Sequence, residues 1–320
     1  MSESTNTTKI KRARLGRNKW GYIFLIPFFA TFLVFSLWPL IQTIYFSFFT
    51  KYTTQMFEEV EEFCGLKNYK EIFSADTMRL FFNTFVLWII GFIPQIVVSL
   101  LLASWFANNR LRIRAAGFFK TVIYLPNLIM AIAFGMIFYL MFARSGPMFH
   151  LLENLGFIAE DYDFWAHVGS TRILISAINF LMWFGNTTIL LMAGIMGIND
   201  SLFEAAEVDG ASQFQVFRKI TLPILKPILV YVMITSLIGG IQMFDVPQII
   251  TKGMGNPAGR DIFKTSQPAI KTVIMQLSTS ISKSSNYGSA GALSVVLLLV
   301  TGVLSFLVYL SMVHRDDNEN

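Results

Sequence analysis

Residues 201–223 read Ser-Leu-Phe-Glu-Ala-Ala-Glu-Val-Asp-Gly-Ala-Ser-Gln-Phe-Gln-Val-Phe-Arg-Lys-Ile-Thr-Leu-Pro, a polar stretch between two long apolar runs. The flanking runs cover roughly residues 172–196 and 228–250. A helix needs about 20 apolar residues to cross the hydrocarbon core of a bilayer, so each run is long enough to be a membrane span. The polar stretch therefore lies outside the bilayer, and we call residues 199–227 the polar loop.

The polar loop is predicted to form two short helices with a bend between them. Two residue pairs have the spacing of a helix capping box: Ser201 with Glu204, and Ser212 with Gln215. Gly210 stands where the first helix should end. Prolines should close the second helix, at Leu222-Pro223 and at Pro227. Four small residues would let another backbone approach closely: Ala205, Ala206, Gly210 and Ala211. A hinged helical pair of this kind suits docking to a second protein.

The composition of the whole chain is that of an integral membrane protein. Of its 320 residues, 54% are hydrophobic and only 14% are charged, with a mean hydropathy of +0.56. Soluble domains carry about 25% charged residues. Six apolar stretches are long enough to span a bilayer, at roughly 22–49, 80–107, 117–142, 172–196, 228–250 and 290–313. The predicted fold class is an all-α membrane protein with six transmembrane helices in one bundle.

The distribution of charge predicts how the chain is oriented. Six basic residues precede the first apolar run: Lys9, Lys11, Arg12, Arg14, Arg17 and Lys19. This is the positive-inside signal, which places the N-terminus in the cytoplasm, so the net charge of +5 is no sign of nucleic-acid binding. Six spans return the C-terminus to the same side. The predicted organisation is a basic tail (1–19), a six-span domain (20–313) and a polar tail (314–320).

Several kinds of chemistry are not expected from this sequence. It has no Gly-x-x-x-x-Gly-Lys-Ser/Thr motif, so it cannot bind ATP by a phosphate-binding loop of that type. Cys64 is the only cysteine, which excludes an internal disulfide and a cysteine-based metal site. No catalytic or metal-binding constellation lies in the spans. The chain itself is therefore not expected to be an enzyme, and no metal or other cofactor is expected.

The polar loop also resembles a family signature. Glu204-Ala205-Ala206, then Gly210, then Ile220-Thr221-Leu222-Pro223 are similar to the EAA loop of permease subunits in binding-protein-dependent ABC importers. The segment Ala-Ala-Glu-Val-Asp-Gly-Ala-Ser, residues 205–212, is most similar to the corresponding segment of the permeases in the carbohydrate branch of this family. Four further segments resemble the family: Gly65–Tyr69, Asn83-Thr84, Tyr124–Pro126 and Tyr287–Ser294. One segment, Gly253–Pro257, departs from the family's usual Thr-x-Gly-Gly-Pro.

This resemblance implies an ATP-driven importer for a sugar, with an oligosaccharide favoured, that works by alternating access. A second, similar permease would complete a heterodimer, and a solute-binding protein would dock outside. Two copies of an ATPase subunit would bind on the cytoplasmic side. Their contact would be formed by Glu204, Ala205, Ala206, Gly210, Leu222 and Pro223 of the polar loop. The implied location is the bacterial or archaeal plasma membrane, with both termini in the cytoplasm.

A stripe of polar residues in the fourth predicted span is the candidate substrate path. Asn179, Trp183 and Asn186 are spaced by four and three residues, so they share one face of a helix. Amides offer hydrogen-bond donors and acceptors to a neutral, hydroxyl-rich ligand, and an indole offers a flat apolar face. Tyr124 and Gln242 are further candidates. The same residues would equally suit interhelical hydrogen bonds, and both interpretations stay open at this point.

Three alternatives predict different features. A permease for glycerol phosphate esters would favour Arg or Lys within the spans, and the spans offer almost none. A secondary transporter would require ionisable groups at membrane depth and broken helices, which the sequence does not clearly show. An intramembrane enzyme would need a catalytic constellation. The sequence thus favours a neutral sugar and an ABC permease over these alternatives.

Overall fold

The structure is a computed structural model that describes residues 19–53, 59–107, 115–253, 269–282 and 286–313. Residues 1–18 of the predicted basic tail and the whole of the polar tail 314–320 lie outside the described residues. Within the described ranges the protein is almost entirely helical, and the only sheet among them is one two-stranded hairpin. The prediction of an all-α membrane protein is confirmed.

The first part of the described chain contains two spans and the hairpin. Its elements are α1 (Lys19–Phe32), a π-helical turn (Leu33–Leu37), α2 (Trp38–Phe46), β1 (Phe49–Thr53), β2 (Glu59–Phe63), α3 (Lys67–Ile72) and α4 (Ala75–Ala107). β1 and β2 are antiparallel, with Phe49 opposite Phe63. The side chain of Asn68 donates to the carbonyl oxygens of Ser47 and Phe49, at 2.9 Å each. These bonds join the hairpin to α3.

The rest of the described chain adds four more predicted spans and the polar loop. Its elements are α5 (Ala116–Leu128), α6 (Ala131–Met141), α7 (Pro147–Asn154), α8 (Val168–Met196), α9 (Asp200–Val208), α10 (Gln213–Val216), a second π-helical turn (Phe217–Thr221), α11 (Leu222–Ile224), α12 (Lys226–Ile241), α13 (Asp245–Gly253), α14 (Val273–Ser282) and α15 (Tyr287–Val313). In the described ranges, five helical stretches are long and apolar enough to cross a membrane: Tyr22–Phe46, Ala75–Ala107, Val168–Met196, Lys226–Thr251 and Tyr287–Met312. The fourth of them contains a short non-helical break at 242–244, between α12 and α13. The five stretches correspond to five of the six predicted spans.

The remaining predicted span, 117–142, is not one continuous helix. It consists of α5 and α6, which meet at an angle of 94°. Ile129 and Met130 are extended at the break, just after Pro126 in the last turn of α5. The side chain of Asn127 donates to the carbonyl oxygen of Met182 at 3.0 Å and holds the end of α5 on α8. Hydropathy counts apolar residues and does not report the direction of the backbone, so the apolar length of 117–142 could not show this bend.

The central pair of helices, α4 and α8, runs parallel in close contact. Ser176 Oγ donates to the carbonyl oxygen of Leu87 at 2.9 Å. Further along, Ser99 Oγ donates to the carbonyl oxygen of Phe184 at 2.9 Å. A Cβ added to Gly91 would lie 2.9 Å from the carbonyl oxygen of Ser176, so only glycine permits this approach. Small residues and interhelical hydrogen bonds are the expected means of packing helices in lipid.

The parallel course of α4 and α8 defines two ends of the bundle. The hairpin precedes α4 and the polar loop follows α8, so we call these ends the hairpin end and the loop end. α15 begins beside the hairpin, where a Cβ added to Gly291 would lie 3.0 Å from the carbonyl oxygen of Thr43. At its other end, Met312 packs against the cluster that contains Leu225 and Leu229. The last described residues therefore lie at the loop end, as an even number of spans requires.

Buried apolar side chains form three clusters between the two ends. The first, at the hairpin end, contains Leu80, Ile241 and Leu293. The middle cluster contains Leu87, Ile175 and Ile270, and the cluster at the loop end contains Leu191, Leu225 and Leu229. Lipid tails are as apolar as these side chains, so close packing and hydrogen bonds, more than the hydrophobic effect, hold such helices together.

Candidate functional site

A cavity of about 440 Å³ lies between α4, α8 and α12. Its polar lining consists of Gln95, Asn179, Asn186, Thr187, Thr235 and Ser236. Its aromatic lining consists of Trp88, Phe92, Trp183 and Tyr231. The structure thus brings Asn179, Trp183 and Asn186, the stripe predicted on the fourth span, to one cavity.

Some of the polar groups in this cavity are already bound to other parts of the wall. Gln95 Nε2 donates to Thr187 Oγ1 at 2.8 Å, across the interface between α4 and α8. The indole Nε1 of Trp88 donates to Ser236 Oγ at 3.1 Å. Asn179 Nδ2 donates to the carbonyl oxygen of Ile175 at 3.0 Å. The first two contacts join α4 to α8 and α12, and the third, within α8, fixes the orientation of the Asn179 amide.

Other groups in the cavity face its open side. Trp183 is 49% exposed and Tyr231 is 59% exposed. The amide of Asn186 is also exposed and makes no hydrogen bond to any other described residue. A polar amide at membrane depth is unfavourable against lipid, so such groups face the interior of a bundle or a water-filled path. The open side therefore fits a solvated path or a second subunit better than it fits the lipid.

The cavity lining carries no charge, since none of its residues is Asp, Glu, Lys, Arg or His. Amides and hydroxyls can both donate and accept hydrogen bonds with hydroxyl groups. Aromatic faces pack against flat apolar surfaces. The cavity is thus suited to a neutral molecule that carries many hydroxyl groups and has apolar faces between them.

The other two candidates for the substrate path lie elsewhere. Tyr124 is on α5, half-buried against α8, where a Cβ added to Gly185 would lie 3.0 Å from its Cα. Gln242 is exposed just beyond the end of α12. Neither belongs to the cavity lining. Conversely, the substrate-path prediction left out Trp88 and Gln95, although their spacing of seven residues places them on one face of α4.

The polar loop forms the predicted pair of short helices, with one difference at their ends. The Ser212–Gln215 capping box is confirmed: Ser212 N donates to Gln215 Oε1 at 2.8 Å, and Gln215 N donates to Ser212 Oγ at 3.3 Å. The predicted Ser201–Glu204 box is wrong. α9 begins earlier, because Asn199 is its N-cap and accepts a hydrogen bond from Ser201 N at 3.1 Å. Gly210 has φ +71° and follows α9, as expected for a helix stop.

The second helix ends at Ile224, between the two prolines that were predicted to close it, Pro223 and Pro227. The backbone stays helical from Gln213 through the π-helical turn and into α11. In that turn Leu222 N donates to the carbonyl oxygen of Phe217, five residues back. A π turn is wider than an α-helical turn, which gives the ring of Pro223 room that a regular α-helix would not.

The surface of the polar loop is only partly covered by the described chain. Ala206 is buried, whereas Glu204 and Ala205 are exposed. Val208 is 89% exposed and Phe214 is 70% exposed. These exposed apolar side chains leave the polar loop with a surface on which another protein could pack. Among the described residues, no group of three or more His, Cys, Asp or Glu could hold a metal ion.

Comparison with known proteins establishes the family. The model of the family described as "binding-protein-dependent transport system inner membrane component" matches residues 95–317. The chain belongs to this family and is a multi-pass membrane protein. This match, which includes the polar loop, confirms the resemblance found in the sequence.

Named relatives cover most of the chain. The lactose transport system permease protein LacF of Rhizobium radiobacter is 30% identical over 90% of this chain and 92% of its own length. The arabinooligosaccharides transport system permease protein AraP of Bacillus subtilis is 32% identical over 72% of this chain and 71% of its own. The fold matches a bacterial alginate ABC transporter, solved with an alginate pentasaccharide-bound periplasmic protein, at TM-score 0.69 and 21% identity. That match covers 92% of this chain and 94% of the other.

Proposed function

We propose that this protein is a permease subunit of an ATP-driven ABC importer and forms part of the translocation path for a neutral sugar, with an oligosaccharide favoured. The observation that carries the proposal is the uncharged cavity lined by Asn179, Trp183 and Asn186. Its volume of about 440 Å³ lies within the usual range for small-molecule sites. The lactose and arabinooligosaccharide permeases among its relatives support the same class of substrate.

The chemistry of the cavity supports weak, reversible binding of hydroxyl groups. A net hydrogen bond to a neutral partner contributes about 1 kcal/mol, and the indole of Trp183 would add an apolar stacking face. Binding of this strength lets a solute leave as well as enter. Alternating access would expose the cavity first to one end of the bundle and then to the other.

The expected partners are those that membership of the family implies. A second permease would face the open side of the cavity, completing a heterodimer. Two ATPase subunits would bind the polar loop through Glu204, Ala205, Ala206 and their neighbours, on the cytoplasmic side of a bacterial or archaeal plasma membrane. A solute-binding protein would dock at the hairpin end. ATP hydrolysis would belong to the separate ATPase subunit.

The chain connection between the polar loop and the cavity supports a coupling mechanism. α8 carries the stripe of Asn179, Trp183 and Asn186, and α9 follows it after a short turn. A movement of α9 by a bound ATPase would therefore act directly on the helix that forms one wall of the cavity. Rigid helices transmit such displacements because packed interfaces move as units rather than deform.

Two alternatives are less well supported. A site for glycerol phosphate esters should contain Arg or Lys for the phosphate, and the cavity lining contains neither. The broken α5–α6 pair is a feature that secondary transporters also use, but the cavity offers no ionisable Asp, Glu or His for ion coupling. The family match favours the importer over both.

Uptake measurements with cavity variants test the proposal. Asn186→Ala should lower uptake of a neutral sugar several-fold, because one hydrogen bond of about 1 kcal/mol is lost. Trp183→Ala should lower it further, since stacking area is lost as well. The matched control is Trp105→Ala, which removes an indole that is 56% exposed on α4 and outside the cavity lining.

The probes are lactose, an arabinooligosaccharide and glycerol phosphate, at equal expression of each variant. Uptake of either sugar that falls in both cavity variants and not in the control supports the proposal. Wild-type transport by both cavity variants across a range of sugar concentrations would show that the stripe only packs helices. Uptake of glycerol phosphate without uptake of sugar would show that the substrate class is wrong.

A further inference from the structure

A short non-helical segment, residues 269–272, crosses the hairpin end of the bundle and leads into Val273, the first residue of α14. We call residues 269–273 the strap. Ala269, Ile270, Thr272 and Val273 have no exposed surface at all. A buried segment without regular structure must satisfy its backbone groups through side chains or other segments. The contacts that do so identify what the strap is fastened to.

Arg172, near the start of α8, is the main contact of the strap. Its Nε and Nη2 both donate to the carbonyl oxygen of Ala269, at 3.2 Å and 3.0 Å. Nη2 also donates to Asn83 Oδ1 on α4 at 2.6 Å. Asn83 Nδ2 in turn donates to the carbonyl oxygen of Lys271 at 3.4 Å. One guanidinium thus fastens the strap to α8 and, through Asn83, to α4.

Two threonines complete the fastening. Thr272 Oγ1 donates to the carbonyl oxygen of Met243, just beyond α12, at 2.8 Å. The backbone N–H of Val273 donates to Thr84 Oγ1 on α4 at 3.2 Å. The strap is therefore bound to α4, α8 and the end of α12, which are the three helices that surround the cavity.

The strap covers the cavity on the side of the hairpin end. Leu87 and Met243 line the cavity there. Leu87, Ile175 and Ile270 are packed in one cluster and have no exposed surface. Asn83 lies one helical turn from Leu87 towards the hairpin end. An apolar plug, to which the strap itself contributes Ile270, thus closes the cavity at this end, and the hydrogen bonds of the strap lie on the far side of that plug.

We propose that the strap is the seal of the cavity at the hairpin end and that Arg172 is its latch. The inference rests on the proposed function, since a seal matters only if solute passes through the cavity. The hydrogen bonds of the guanidinium to Ala269 and Asn83 are directional and can be broken as a set when α8 moves relative to α4. Arg172 is a positioning residue in this scheme, because it acts on the strap and does not touch the solute.

Thiol labelling tests the latch without any need for a known sugar. Cys64 is first replaced by Ala, and Leu87→Cys then reports access to the plug. In intact cells an impermeant thiol reagent should barely react with Leu87→Cys while Arg172 is present. Adding Arg172→Met should raise the labelling rate about ten-fold, because local opening no longer has to break the hydrogen bonds of Arg172. Asn83→Ala should act in the same way, and combining the two changes should add little.

A second reporter separates a latch from general loosening of the fold. Leu191→Cys is equally without exposed surface, in the cluster at the loop end. Labelling of Leu87→Cys without labelling of Leu191→Cys supports the latch. Labelling of both positions, or of neither, overturns it.

Sugar uptake by the same cells distinguishes the latch from the proposed function. If Leu87→Cys becomes accessible while the wild type imports no sugar, the seal is supported and the proposed substrate class is wrong. If Leu87→Cys stays protected in both latch variants while the wild type imports sugar, the latch alone is refuted.

Discussion

Gly185 is the point at which α5 and α8 come closest, and replacing it with alanine tests the packing of the broken span. A Cβ added there would lie 2.1 Å from the carbonyl oxygen of Ile123, 2.8 Å from its carbonyl carbon and 3.0 Å from Tyr124 Cα. All three atoms belong to the backbone, so no side-chain rotation can relieve the overlap. In Gly185→Ala the two helices would have to separate by roughly 1 Å.

Two opposing effects determine how much Gly185→Ala changes the free energy of unfolding. Overpacking of this kind destabilises by about 1–3 kcal/mol. Alanine is the better helix former by about 1 kcal/mol. The net expectation for Gly185→Ala is a loss of up to about 2 kcal/mol in the free energy of unfolding, seen as a fall in Tm of up to a few degrees. Because Gly185 lies between Trp183 and Asn186 in the chain, sugar uptake should fall together with stability.

The measurement is thermal unfolding of the purified protein in detergent, followed by the reaction of Cys64 with a thiol-sensitive dye. Gly302→Ala on α15 is the matched control, because nothing lies within 4 Å of a Cβ added there. It should leave Tm unchanged or raise it slightly, through helix propensity alone. Equal Tm values for Gly185→Ala and Gly302→Ala would refute the close approach of α5 and α8.

Two further predictions concern the ends of the bundle. The first is tested in a chain whose Cys64 is replaced by Ala. There, Phe63→Cys at the hairpin end should react with an impermeant thiol reagent in intact cells, whereas Ala205→Cys in the polar loop should not. The reverse result would invert the proposed topology. Glu204→Lys should reduce co-purification of the ATPase, because it reverses a charge on the exposed face of α9. The control Gln213→Lys adds a positive charge elsewhere in the polar loop and should reduce co-purification far less. Undiminished recovery of the ATPase with Glu204→Lys would remove that residue from the proposed interface.

The candidate site was only partly predictable from the sequence. Asn179, Trp183 and Asn186 could be grouped in advance, because residues three and four apart on one helix share a face wherever that helix packs. That Gln95 and Ser236 line the same cavity could not be predicted, since it depends on how α4, α8 and α12 pack together. Arg172 and the strap are separated by almost a hundred residues, and no local pattern connects them.

Local chemistry and hydropathy were sufficient for much of this protein. Apolar length predicted six spans, of which the third is the bent pair α5–α6. The spacing of Ser212 and Gln215 predicted a cap, and the need for a positive φ predicted the stop at Gly210. Each of these depends on residues that are close together in the chain. The break between α5 and α6 was decided by tertiary structure. There the direction of the backbone depends on contacts such as that of Asn127 with Met182, which exist only when distant helices pack together.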